Sequence, residues 1–368
     1  MTPPAPLILH VFPTFAVGGA QARFATIANA MGSAFRHMVV SLDGRLDARG
    51  RVLPSIDISY PALSGRKDAF FGCVLAYRQL LRQWQPDLLV TYNWGAIEFA
   101  FANILPLVRH VHVIDGFGSD EYFVRLRRRV MANRMALCRG VTVVPSMNLR
   151  RILQDEWALP PDRVRYIPNG IDLMRFSASR PVARADAPLT IGTVAALRPE
   201  KNIARLLHAF SRLEGAPSIR LTIVGDGECR GELVALAGAL GIRDRVDFVG
   251  HSNDVHAFLA TFDIFALSSD TEQMPIVVLE AMASGIPVVA TDVGDIRVMV
   301  AAENDAFIGN ETIDGFAASL RRLVEDGPLR ARIGAANRAK AEACFAEADM
   351  LDAWRDLLWD RIRTPLGL

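Results

Sequence analysis

Short apolar runs alternate with longer segments of helical spacing along the whole 368-residue chain. The short runs have the length and β-branched content of buried strands. The longer ones place apolar residues every three to four positions, as amphipathic helices do. In the first half the predicted strands are Leu7–Val11, His37–Leu42, Ile56–Tyr60, Leu88–Tyr92, His110–Ile114, Val141–Val144 and Val164–Ile167. Helical segments intervene, among them Ala20–Met31, Ala69–Trp84 and Glu121–Cys138. Ser177–Pro188, rich in Ala, Arg and Pro, reads as a linker. The alternation then restarts with predicted strands Thr190–Val194, Arg220–Val224, Val246–Val249, Ile264–Leu267, Val288–Ala290 and a weaker one at Ala306–Ile308. Such a pattern predicts an α/β protein of two Rossmann-like domains, 1–172 and 173–349, each a parallel sheet covered by helices. Ligands of these sheets bind beyond the carboxyl ends of the strands, so a cleft between the two domains is the expected site. The last segment, Met350–Ile362, puts Leu351, Trp354, Leu357 and Leu358 roughly on one face. That face suits either a cap on the second domain or packing against the first.

Composition narrows the picture. Net charge is +1 and 51% of residues are hydrophobic, ample for two cores and no argument for a nucleic-acid partner. The halves differ: residues 1–172 hold 20 Lys+Arg against 13 Asp+Glu, and residues 173–368 hold 21 against 27. The cysteines Cys73, Cys138, Cys229 and Cys344 are scattered, with no CxxC and no His spacing for zinc, and read as buried thiols of a reducing compartment. The start MTPPAPLILHVF lacks the basic region of a secretory signal, and no run approaches the ~18 apolar residues of a membrane span, so a cytoplasmic location is expected.

Residues 268–294, SSDTEQMPIVVLEAMASGIPVVATDVG, carry the strongest chemical signal. Glu272 falls in a loop before a predicted helix, and Glu280 lies about two helical turns later. A helix N-terminus favours anions, so a phosphate held there would have a carboxylate on either side. Carboxylates accept hydrogen bonds from vicinal hydroxyls, which a sugar nucleotide presents at both ends. This glutamate pair with seven intervening residues, together with Met274, Pro275, Ile276, Ala281-Met282 and the Gly-Ile-Pro-Val-Val-Ala-Thr-Asp run, resembles the motif of the group 1 (family 4) glycosyltransferases of the GT-B fold. The resemblance implies a retaining transfer from a nucleotide-diphosphate sugar, with Glu272 on the donor sugar and Glu280 on the ribose hydroxyls. It also implies that the C-terminal helix, 350–368, crosses back to the first domain.

Further residues fit the same family. In GTVAALRPEKN (192–202), Arg198 and Lys201 follow a strand and begin a helix; the family uses such a pair to bind the donor diphosphate and stabilise it as it leaves. Two cations in that place make a metal unnecessary, and no DxD is placed as a metal site; Asp270/Glu272 has a similar spacing but matches the glutamate motif better. Gly18-Gly19 before the first helix matches the family's N-terminal glycine loop, with Gln21 where Glu is common. Strand-end turns at Gly225-Asp226-Gly227 and Gly250-His251 face the expected nucleotide, although Asp226 reads equally well as an ordinary turn residue. At the end of a first-domain strand, RHVHVIDGFG (109–118), Asp115 stands where the family often has a catalytic His. Asp115 is therefore the reactive-centre candidate, as a base or as a holder of sugar hydroxyls. His110 and His112 share one strand face and are the competing candidates.

Arg125–Arg134 holds five arginines on a predicted helix, a surface suited either to solvent or to anionic lipid at the inner membrane face. The expected function is sugar transfer from a UDP- or GDP-sugar to a glycan or lipid-linked acceptor in cell-surface or exopolysaccharide assembly. A GT-B nucleotide-sugar epimerase and a non-catalytic sugar-nucleotide-binding subunit are the competing readings. The first would need catalytic acids and no acceptor; the second is opposed by the retained Glu272, Glu280, Arg198 and Lys201.

Overall fold

The computed structural model of the protein describes residues 4–63, 70–117, 126–176, 188–213, 218–309 and 311–365. Most of the predicted linker (177–187) and residues 118–125, which include Arg125 and the start of the helix predicted at Glu121–Cys138, lie outside the described residues, as does Ala69. The chain forms two units, Met1–Pro168 with Asp349–Leu368, and Asn169–Ala348.

The first unit is built on seven parallel strands among the described residues: β1 (Leu7–Phe12), β2 (Arg36–Ser41), β3 (Ile58–Ser59), β4 (Leu88–Tyr92), β5 (Arg109–Val113), β6 (Val141–Val144) and β7 (Val164–Tyr166). Their order is β3-β2-β1-β4-β5-β6-β7, a sheet wound outward in both directions from β1 and β4. Alternation along β1 explains the layers. Ile8 and Phe12 point into a core that holds Phe24 and Ile27 of helix Gly19–Met31. Leu9 and Val11 point to the opposite face, where Leu81 and Phe99 pack. Both faces are covered, so the strands read as continuous apolar runs. The C-terminal helix Glu347–Arg363 places Met350, Trp354, Leu357 and Leu358 in the first of these cores, with Leu351 partly buried against it. The helix thus crosses back to the first unit.

The second unit repeats the plan with β8 (Leu189–Val194), β9 (Ile219–Val224), β10 (Val246–Gly250), β11 (Ile264–Leu267) and β12 (Val288–Ala290), ordered β10-β9-β8-β11-β12 and all parallel. Ile191, Ile223, Ala266 and Val289 face one core, and Val224, Phe265, Leu267, Val288 and Ala290 face the other. Helix Ile276–Ala283 is apolar almost throughout, because it is packed into the second of these cores.

Two expectations need correction. The weak strand at Ala306–Ile308 is absent: Ala302–Phe307 is a 3-10 turn, and only Ile308 bridges to Ala290. The buried Asn304 amide takes the place of a strand, accepting from Val288 N at 2.8 Å and donating to Val288 O at 2.7 Å. The cysteines are not buried as expected: Cys73 and Cys229 are half-buried, and Cys138 and Cys344, each at the end of a surface helix, are exposed.

Candidate functional site

The strands of the second sheet are parallel, so the loops after β8, β9, β11 and β12 emerge at one edge. Two of these loops are stitched together residue by residue. Ser268 Oγ donates to Lys201 O and Asn202 O, and Asp270 N donates to Glu200 O at 2.8 Å. The Asp270 carboxylate takes Arg205 at 2.7 Å and the Asn202 amide at 3.1 Å. Glu272 Oε1 accepts from Lys201 Nζ at 2.6 Å and from Ser269 Oγ at 2.8 Å. Ser268, Asp270 and Glu272 alternate along an extended loop, which sends all three side chains toward the 200–205 turn. That alternation is a sequence signal that the glutamate spacing had overshadowed.

The stitching sets the orientation of Glu272. Its Oε1 is occupied twice, and no hydrogen bond reaches Oε2 among the described residues. Lys201 is partnered to this carboxylate, whereas Arg198 is exposed with no side-chain partner among the described residues. The two cations expected to act as a matched clamp therefore have different starting points.

Helix Ile276–Ala283 starts at Pro275 with no side-chain cap and no acidic residue in its first turn, which leaves an uncompensated positive end. Glu280 lies on this helix, half-buried. Burial pushes its carboxyl up to about 7, opposed by the charge of Arg175, a residue that no sequence pattern pointed to. Met274 is a structural anchor, 5% exposed: its Sδ accepts from Asn169 N at 3.3 Å and its carbonyl from the Asn169 amide at 2.9 Å. Asp295 is buried and donates its N–H to Gln273 O at 2.8 Å. The preceding Gly294 has φ +60°, and a Cβ there would stand 2.5 Å from Glu272 O. This glycine is what the close loop contact requires.

The turn after β9 is equally tight. Gly225 has φ +138°, and a Cβ there would lie 1.9 Å from Ala195 O. Its N–H donates to Gly250 O at 2.8 Å, so the Gly225 and Gly250 turns are joined by backbone. Asp226 is exposed, and its Oδ1 accepts from Gly227 N at 2.8 Å, the geometry of a self-capped turn.

In the first unit, Gly18 and Gly19 are exposed at the start of helix Gly19–Met31, which no side chain caps. Gln21 folds back to donate to Thr14 O at 2.8 Å and braces this loop. Asp115 follows β5 and pairs with Arg23 of that helix at 2.5 Å; its N–H donates to Asn93 Oδ1 at 2.8 Å. Arg23 is 6% exposed, and Asp115 Oδ2 is buried with no hydrogen bond among the described residues. His110 and His112 are interior strand residues, bridged by the Thr91 hydroxyl at 2.8 and 2.7 Å. Burial pushes both imidazoles down, His110 to about 3. A second buried chain joins Tyr92, His10 and His37 at 3.2 and 3.1 Å. Among the described residues no group of three or more His, Cys, Asp or Glu is placed to hold a metal ion.

The fold is that of the GT-B glycosyltransferases, and comparison with known proteins agrees. A family model described as Glycosyl transferases group 1 matches residues 175–340, and one described as Glycosyltransferase Family 4 matches residues 17–175. The lipopolysaccharide core biosynthesis glycosyltransferase LpsD of Rhizobium meliloti is 33% identical over 286 residues, 76% of this chain and 77% of LpsD. LpsE of the same organism is 34% identical over 175 residues, 47% of this chain and 50% of LpsE, so the match spans half of that relative. Among solved structures, Anabaena Alr3699/HepE in complex with UDP has a TM-score of 0.80 at 19% identity, covering 96% of this chain and 99% of HepE. The chain belongs to the group 1 glycosyltransferases and is a transferase enzyme, and nothing in these likenesses favours an epimerase.

Proposed function

We propose that the protein is a retaining glycosyltransferase that moves a sugar from a UDP- or GDP-sugar to a glycan or lipid-linked acceptor of cell-surface or exopolysaccharide assembly, without a metal cofactor. The observation that carries this is the stitched loop edge of the second unit. Among the described residues it gathers an arginine with no side-chain partner, a lysine, a carboxylate with one oxygen left unbonded and an uncapped helix N-terminus. A diphosphate suits the helix end and Arg198, and its charge competes for Lys201. The ammonium has three donors, so Lys201 can meet a phosphate oxygen while it still orients Glu272. Glu272 then offers Oε2 to the sugar hydroxyls, and Glu280 takes the ribose hydroxyls. The two cations stabilise the departing diphosphate. The Gly225–Gly250 backbone pair suits the base. UDP is the first nucleotide to test, since HepE is solved with UDP and with UDP-glucose and two relatives act in lipopolysaccharide core biosynthesis.

In the first unit, the arginine-paired Asp115 suits an acceptor of sugar hydroxyl hydrogen bonds better than a base. Arg23 lies against its charged form. His110 and His112 are interior, and one ring nitrogen of each is engaged with Thr91. The arginines of helix Arg127–Leu137 favour contact with an anionic membrane face. No helix among the described residues is long and apolar enough to cross a membrane, so attachment would be peripheral.

Calorimetric titration with UDP and GDP in the presence of chelator tests the core of this reading. Binding of one of them is expected without metal. Loss of binding with chelator and its return with magnesium or manganese overturns metal independence. Donor hydrolysis or transfer measured over a panel of acceptor glycans tests the activity itself.

A further inference from the structure

One end of the first unit carries two adjoining depressions that the transfer chemistry does not use. The first is a cavity of about 50 Å³ lined by Arg109, Arg139, Arg361, His110 and Gly140, at the start of β5 and β6. The second is an open groove of about 880 Å³ along helix Arg127–Leu137, lined by Val130, Met131 and Met135 with Arg127 and Arg134 at its rim. Ile104 and Cys138 line both, so the two share a wall.

The cavity has an excess of cations. Arg109 donates to Thr364 O, and Arg163 donates to Arg139 O at 2.9 Å; these two close helix ends and are accounted for structurally. Arg139 and Arg361 have no side-chain hydrogen bond among the described residues, and Arg361 Nε is buried without a partner. Burial, together with Arg163, Arg109 and Arg165, pushes the Arg361 guanidinium down against the pull of Asp360. The nearby acids are few: Asp360 beside Arg361, Asp162 3.7 Å from Arg163, and Glu156 at the groove. Clustered guanidiniums repel one another, and an oxyanion in their midst relieves that repulsion.

The groove has the complementary character. Met131 and Met135 are 67% and 53% exposed, and Leu105, beside Ile104, is 66% exposed. Single exposed apolar residues need no explanation. Here two methionines one helical turn apart line a groove that runs into an arginine cavity. A free phosphate would use only the cavity, and an apolar peptide only the groove. A phosphate ester with an acyl chain uses both.

We propose that these two depressions form a binding site for an anionic phospholipid, with the phosphate between Arg139 and Arg361 and the acyl chain along Met131 and Met135. This deepens the membrane contact proposed above and rests on it. The test is flotation of the full chain with vesicles of phosphatidylcholine alone or mixed with phosphatidylglycerol. Wild type is expected to float only with the mixed vesicles. Each arginine removed in Arg139→Ser/Arg361→Ser should lower partitioning about fivefold, the scale of one basic residue at an anionic surface. Met131→Ser/Met135→Ser should lower it too, although all charges remain. Arg139→Lys/Arg361→Lys keeps the charge and should keep most of the binding, and unchanged UDP affinity and thermal unfolding should show that the variants are folded. If Arg139→Ser/Arg361→Ser floats like wild type while Arg127→Ser/Arg128→Ser/Arg134→Ser does not, the cavity proposal is overturned and the helix contact stands. If no vesicle recruits the wild type, both are overturned.

Discussion

The two units share a plan but treat their polar residues in opposite ways. In the first unit Arg23 and Asp115 are paired, Thr91 bridges His110 to His112, and Tyr92, His10 and His37 form a chain inside the sheet layer. These contacts are made inside the unit, although Asp115 Oδ2, His37 Nε2 and His112 Nε2 are buried with no hydrogen bond among the described residues. In the second unit the polar groups stand at a loop edge with capacity to spare: among the described residues Arg198 and Glu272 Oε2 have no side-chain partner, and burial raises the proton affinity of Glu280. The contrast teaches that residue type and strand-end position do not distinguish a ligand site from a polar core. Unspent hydrogen-bonding capacity at an accessible edge does.

The largest expected effect breaks the comparison on the first-unit side. Asp115→Asn removes the carboxylate charge that faces the buried Arg23 guanidinium and should destabilise the protein by about 3–5 kcal/mol. Glu272→Gln, at the edge of the second sheet, should cost under ~1 kcal/mol, since Lys201 there still reaches solvent. Chemical denaturation of both variants measures this. An Asp115→Asn variant as stable as wild type, with turnover lowered by about 100-fold, would show that Asp115 is a reactive-centre group and no structural pair.

Glu280 gives the next effect. Its carboxyl is pushed up to about 7 in the folded protein, above the ordinary 4.5. The folded state therefore binds the proton more tightly than the unfolded state does. The penalty for ionising it is absent below pH 4.5, grows as pH rises and is complete above 7. Glu280→Gln should stabilise the protein at pH 8 by about 1–3 kcal/mol and have little effect near pH 4. Urea titrations at the two pH values decide it; equal effects at both would remove burial as the cause.

Ligand binding sharpens the contrast within the second unit. Glu280→Ala should weaken UDP binding by about 1.5–3 kcal/mol, the worth of hydrogen bonds to a charged group. Glu272→Ala should leave UDP affinity nearly intact and lower transfer. Equal loss of UDP affinity in both variants would refute that division. The smallest effect concerns pH. Wild-type UDP affinity should fall as pH drops below about 7, where Glu280 takes up its proton and one of its oxygens no longer accepts. Calorimetry of wild type beside Glu280→Gln, in which that pH dependence should vanish, checks the point.

The sequence by itself determined the layers. The largely apolar runs at 88–92, 141–144 and 264–267 lie where their pattern placed them, because a strand buried on both faces leaves a continuous apolar signature. It also determined the face of the last helix and the glutamate pair with its Gly-Ile-Pro turn. What tertiary structure decided were the partners, which sequence distance hides. Arg23 meets Asp115 across 92 positions, and Lys201 meets Glu272 across 71. Asn304 replaces a strand at Ala306–Ile308 because a side-chain amide offers the same donor and acceptor as a peptide. Periodicity records which face of an element is apolar, a property carried within a few residues. Which polar groups saturate one another depends on where the folded chain brings distant segments together, and that alone separated the first unit's internal network from the second unit's open edge.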